Sequence, residues 1–172
     1  MNRRSGWMTT VTVALLLAIT GAGFALAPSF ALAQGGVGEP PLQDLATYPQ
    51  GELEIRAKGG SQRFRIWIAD TASRQRQGLM FVRDLPADQG MLFVNEAPRV
   101  SYFWMKNTYI PLDMLFIDSR GRIAAIFANT TPHSLDPVGP DVPVKAVLEL
   151  RGGEAARRGI RTGDRVLHAA FR

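Results

Sequence analysis

Cysteine is absent from this 172-residue chain, histidine occurs twice, and lysine supplies only three of its twenty cations. Without thiols the chain forms no disulfide and has no sulfur to carry a lipid anchor, so its stability rests on packing. His133 and His168 lie far apart and lack the spacing of a metal motif. A closed metal site wants four ligands, so neither a metal nor a cofactor is expected. Phosphate-loop spacing, a nucleophile elbow and internal repeats are missing too. Gly59-Gly60-Ser61 and Gly152-Gly153 read as turns.

A long uninterrupted apolar run is also lacking. Arg3 and Arg4 precede the apolar stretch from Val11 to Ile19, and Ala31-Leu32-Ala33 offers a small-x-small cleavage site before Gln34. This order predicts a cleavable signal peptide over 1–33. Gly21, Gly23 and Pro28 break the run short of the roughly 20 apolar residues that span a bilayer. The expected product is periplasmic or secreted, with no stable membrane anchor. The formal charge of +5 includes the two signal arginines, and the remaining 18 basic and 15 acidic residues leave +3. That excess is mild and spread along the chain, so nucleic acid is not the expected partner.

Residues 34–50, rich in Gly, Pro and polar side chains, read as a flexible linker before one globular domain over 51–172. LEIRA (53–57) and RFRIWIA (63–69) alternate apolar and polar residues around Gly59-Gly60, a hairpin pattern. Thr71 and Gly78 bracket a short helix. Further strands are expected at 90–94, 100–105, 114–118, 122–128, 145–150 and 164–171, with a second short helix at 153–159. Gly159 is expected to end that helix, Ile160 to plug the core, and Gly163-Asp164 to turn the chain. His168 would alternate with Val166 and Ala170 on the last strand. The long loop 129–143 is of a kind that is often functional or mobile. The fold class is mainly β: a compact antiparallel barrel or sandwich-like domain with two short helices.

Met80, Met91, Met105 and Met114 raise the question of copper(I), which soft thioethers select. All four lie in apolar runs, where methionine fills irregular core space, and core packing is the expectation.

The stretch FWMKNTYIPLD (103–113) is both apolar and chemically equipped. Alternation puts Tyr102, Trp104 and Lys106 on one side and Phe103, Met105 and Asn107 on the other. Asn107-Thr108 favours a turn, and Pro111 extends Ile110. Two readings follow. In one, Lys106 and Asp113 form a structural ion pair at the base of a loop. In the other, Trp104, Lys106, Asn107, Thr108 and Asp113 rim a pocket for a small polar ligand or a partner segment. Glu149, a carboxylate inside the apolar VLEL, needs a partner if buried, and Lys106 and His133 are candidates. A hydrolase acting on envelope carbohydrate or peptide would use Asp113, Glu149 and His133, and a purely structural or assembly role is the third class. Carboxyls converging in one cleft would favour the hydrolase, and carboxyls on opposite faces would end it.

QGLMFVRDLPADQGMLFV (77–94), FWMKNTYIPLDMLFID (103–118), VKAVLEL (144–150) and GIRTGDRV (159–166) resemble the family called domain of unknown function 192. The resemblance implies a compact β-rich domain, often exported in bacteria, and brings no reaction with it. Its motif positions are Trp104, Met105, Lys106, Asn107, Thr108, Pro111, Asp113, Glu149, Gly163 and Asp164.

Overall fold

The computed structural model describes residues 41–172. The expected signal peptide over 1–33 and residues 34–40 lie outside the described residues. The chain forms strands β1 (Gln50–Ala57), β2 (Gly60–Ala69), β3 (Gln89–Arg99), β4 (Leu112–Ile117), β5 (Ile123–Phe127), β6 (Val144–Arg151) and β7 (Arg165–Leu167). Helix α1 (Ala72–Gln77) follows β2, and helix α2 (Glu154–Arg157) follows β6. The strands make one sheet in the order β5-β4-β6-β3-β2-β1-β7.

The sheet curls until its edges meet. Arg122 and Arg165 form an isolated bridge, the Ile123 amide donates to the Asp164 carbonyl at 3.0 Å, and the Val166 amide donates to the Gly121 carbonyl at 2.7 Å. Gly121 permits this seam, with φ at 76° and the Val166 oxygen 2.6 Å from where a Cβ would stand. Only glycine tolerates both demands.

Strand alternation sorts the apolar residues into two clusters. All seven strands contribute to the interior, including Leu53, Phe64, Leu92, Leu115, Leu148 and Val166, with Ala155 and Ile160 packed against them. The outer face of β3, β4 and β6 carries a second cluster, with Met91, Phe93, Met114, Phe116 and Val147 beneath Leu79, Leu85 and Met105. Burying one such side chain stabilises the fold by roughly 1.5–3 kcal/mol. Met91, Met105 and Met114 sit in the core, as their apolar neighbours led us to expect, whereas Met80 is only half-buried and lines a groove on the outer face.

The barrel-like fold, the 53–69 hairpin, the α1 caps and the Ile160 plug all agree with the sequence reading. Thr71 accepts the Arg74 amide and Gly78 closes α1. Four details differ. Strands β2 and β3 run parallel, because the connection through α1 crosses back before β3 begins. Residues 100–105 are not a strand. Phe103 alone pairs, with Val138, while Val100, Tyr102 and Trp104 face outward; their alternation reflects a loop with one packed side. The last strand stops at Leu167, and His168 instead accepts the Ala170 amide on Nδ1 to start a 3-10 turn.

The fourth difference concerns the linker. Residues 41–50 are docked: Tyr48 is buried, and Gln43 exchanges two backbone hydrogen bonds with the Gln77 amide side chain at 2.7 and 2.8 Å. Such fixed contacts remove the chain freedom that a Gly/Pro-rich linker otherwise keeps.

Candidate functional site

Over the outer face of β3 and β6 lies a groove of about 820 Å³. Its walls come from α1 and the turn after it, the end of β3, and the 100–108 loop; Leu42 and Leu135 also reach it. The walls are mixed: Phe81, Tyr102, Phe103 and Trp104 are aromatic, and Arg76, Arg99 and Lys106 are cationic. Trp104 is 54% exposed, and the Lys106 ammonium stands 5.8 Å from its ring centroid.

Glu149 lies on the floor. Its cross-strand neighbours are Met91 on β3 and Met114 on β4, and it shares the outer face with Val147. Only 4% of its surface is exposed, and it lines the groove. No hydrogen bond or ion pair reaches its carboxyl among the described residues, and neither Lys106 nor His133 supplies the partner expected for it. Burial against thioethers and aromatic rings disfavours the anion and pushes the pKa up to about 8. At neutral pH Glu149 is thus mostly a neutral acid, able to donate one hydrogen bond and accept others.

One end of the groove is braced by amides. Asn95 donates to the Ser101 hydroxyl at 3.1 Å and the Val144 carbonyl at 3.0 Å, and receives Nε of Arg99 at 2.9 Å. Gln75 donates to the carbonyls of Ala69 and Val94 at 3.2 and 2.9 Å. Sequence reasoning passed over Gln75, Arg76, Asn95 and Arg99. Asn95, a polar residue ending the apolar run GMLFV, was the available signal.

Of the positions singled out in the sequence, Trp104, Lys106, Thr108 and Glu149 meet at the groove, whereas Asn107, Asp113 and His133 do not line it. Asn107 adopts φ of 56°, a left-handed geometry asparagine accepts more readily than most residues. Its carbonyl receives the Phe81 amide at 2.8 Å, tying the two walls together. The His133 ring packs on Tyr109 at 5.4 Å, and its amide donates to the Thr108 carbonyl at 3.2 Å.

Asp113 has a different task. It is fully buried and accepts the amides of Asn129 and Gly153 on Oδ1 at 2.8 and 2.9 Å, and of Ala155 on Oδ2 at 2.8 Å. Gly153, the N-cap of α2, has no capping side chain; Asp113 caps α2 from a distant strand. The ion pair expected with Lys106 is not formed, because these amides take the carboxylate instead. Asp113 pairs with Leu150, and Glu149 with Met114. Adjacent strand positions point to opposite faces, so the two carboxyls lie on opposite sides of the sheet and the acid/base pair falls.

No curated protein matches the chain. Among the solved structures similar to it are two crystal structures. One is a Sinorhizobium meliloti protein provisionally described as a transcription regulator, with 40% identity and a TM-score of 0.70 over 72% of this chain and 96% of that one. The other is a Novosphingobium aromaticivorans protein of unknown function, with 36% identity and a TM-score of 0.71 over 75% of this chain and 92% of that one. Residues 53–168 match the family model described as uncharacterized ACR, and the chain belongs to this family, domain of unknown function 192.

Proposed function

We propose that the protein is an exported binding module that takes a small ligand or a partner segment into the groove between Trp104, Lys106 and Glu149. The observation that carries this reading is Glu149: a carboxyl without a partner among the described residues, at the bottom of a cleft large enough for a small molecule. A buried polar group without a partner costs stability, and a ligand that bonds it recovers that cost. The mostly apolar lining with a few polar groups is the composition of ligand sites in general. Export rests on the signal-like order of residues 1–33. Nucleic acid is outside this reading, since among the described residues α1 and α2 have only six and four residues, too short for a recognition helix. Hydrolysis by an Asp113/Glu149 pair is outside it because the carboxyls do not share a cleft.

The test is a thermal-shift screen of the purified protein against envelope sugars, muropeptides, nucleotides and metal ions, with Lys106→Ala and Trp104→Ala alongside. A groove ligand at 100 times its dissociation constant stabilises the fold by about 2.7 kcal/mol. The shift should shrink in both variants. A shift unchanged in both would move the site elsewhere.

A further inference from the structure

We propose that the barrel seam is a second binding site, for a ligand carrying adjacent phosphate groups, held by the row Arg56, Arg165 and Arg122 and by Arg120 beside it. These arginines do not line the groove, so the site stands independently of the reading above.

Strand register builds the row. Arg56 on β1 lies directly opposite Arg165 on β7, and Arg165 bridges to Arg122 on its other side. Directly opposed residues project from one face, with Cβ atoms about 4.5–5.5 Å apart. The adjacent Ile55, Val166 and Ile123 are buried inside the barrel, so the three arginines project outward, and all are exposed. Like charges in such positions repel, and the carboxylates nearby relieve them little. Asp118 accepts the amides of Arg120 and Arg122, and Asp164 accepts the Arg161 amide. Glu54 approaches Arg56 at 3.6 Å but is shared with Arg63 and Ser61. Among the described residues, Arg120 and Arg165 have no carboxylate within ion-pair reach. A sheet that keeps such a repulsive row breaks a rule of strand pairing, and such breaks concentrate at functional sites.

A hollow of about 210 Å³ opens beside the row, lined by Arg120, Arg165 and Arg172 together with His168 and Phe171. It is smaller than the roughly 300–1,000 Å³ of ordinary small-molecule pockets, so it takes one anionic group and leaves the rest of the ligand on the row. His168 adds no cation: burial, then the charge of Arg172, holds its pKa below the ordinary value. Guanidinium forks bind phosphate oxygens two at a time. A tetrahedral phosphate offers oxygens to several forks at once, whereas a planar carboxylate has only two. Adjacent phosphates therefore suit arginines set one strand spacing apart. Free oligophosphate and the phosphomonoester headgroup of a lipid share this chemistry.

Titration calorimetry of the purified protein at about 0.15 M salt tests this, with tripolyphosphate as the probe and citrate as the carboxylate control. Tripolyphosphate should bind at one site and at least about tenfold more tightly than citrate, a difference of about 1.4 kcal/mol. Arg165→Thr should weaken it at least about tenfold, whereas Arg83→Gln, which removes an equal charge outside the row, should change it by less than about twofold. Thermal unfolding checks that both variants fold. Vesicles of phosphatidate and of phosphatidylcholine separate the two sources. Retention on phosphatidate alone, lost in Arg165→Thr, assigns a lipid headgroup; tripolyphosphate binding without retention assigns a free oligophosphate.

Undetectable tripolyphosphate binding, equal affinity for citrate, or equal losses in the two variants would overturn the site. A single-stranded oligonucleotide bound more tightly than tripolyphosphate, and lost in Arg165→Thr, would overturn it in favour of nucleic acid. None of these outcomes touches the groove reading.

Discussion

Asp113 on β4 holds the amide of Ala155 at 2.8 Å, so a strand residue caps a helix 42 positions later in the chain. The carboxylate also accepts the amides of Asn129 and Gly153, joining β4, the 129–143 loop and α2. Hydrogen bonds to a charged acceptor contribute about 1.5–3 kcal/mol each, and orphaned buried amides cost extra.

Replacing this carboxylate should therefore damage the fold rather than ligand binding alone. Asp113→Ala is expected to lose about 3–5 kcal/mol of unfolding free energy, and Asp113→Asn about 1–3, because one amide oxygen cannot serve all three donors. Urea unfolding followed by circular dichroism measures this. A loss below about 1 kcal/mol in Asp113→Ala would show that the cap is dispensable.

Glu149 and Glu154 should give stability opposite pH slopes. In the unfolded chain Glu149 loses its proton near 4.5, and in the fold it keeps it to about 8. The fold holds the extra proton across that window, so stability falls as pH rises through it, by up to about 1.4 kcal/mol per unit. Glu149→Gln should flatten this limb and raise the midpoint of thermal unfolding more at pH 8 than at pH 5. Equal gains at the two values would remove Glu149 as the cause.

Glu154 sits on the other side of the ledger. Hydrogen bonding by Arg157, then by Arg158, holds its carboxyl below the ordinary value. Its contribution is present above about pH 4.5 and is lost as pH falls through the lowered value. Glu154→Gln should destabilise the protein at neutral pH and progressively less in acid. Arg158 would lose its anchor to α2 while keeping its contact with the Ala87 carbonyl. Thermal unfolding of both proteins across pH 2 to 7 tests this.

The barrel seam places like charges side by side. Arg165 pairs with Arg56 on one side and bridges to Arg122 on the other, and all three are exposed. Like charges directly opposite on a sheet destabilise it by roughly 0.2–1 kcal/mol. Arg165→Thr should raise stability by about that amount, with the gain shrinking in 1 M salt as the repulsion is screened. A gain that survives high salt would assign it to the strand preference of threonine.

Much of the fold was readable because its signals are local. Leu53, Ile55, Phe64 and Ile66 announce a hairpin through alternation and the intervening glycines, and Thr71 and Gly78 mark a helix by capping chemistry. The same rule misled at 100–105, where one packed side of a loop imitates a strand. The parallel pairing of β2 with β3 leaves no mark in either strand, since it depends on where the α1 crossover delivers the chain.

Asp113 and Glu149 draw the line between the two sources of information. The sequence by itself determined that each is a carboxylate set in an apolar run, and therefore that each needs an answer to burial. Which answer was decided only by the tertiary structure. Register puts the two side chains on opposite faces of one sheet: Asp113 meets the unsatisfied amides of α2, and Glu149 meets a groove built by α1 and the 100–108 loop. Burial and hydrogen-bond partners come from segments distant in the chain. Their physical effect, a satisfied carboxylate in one case and a proton retained to about pH 8 in the other, therefore belongs to the folded molecule alone.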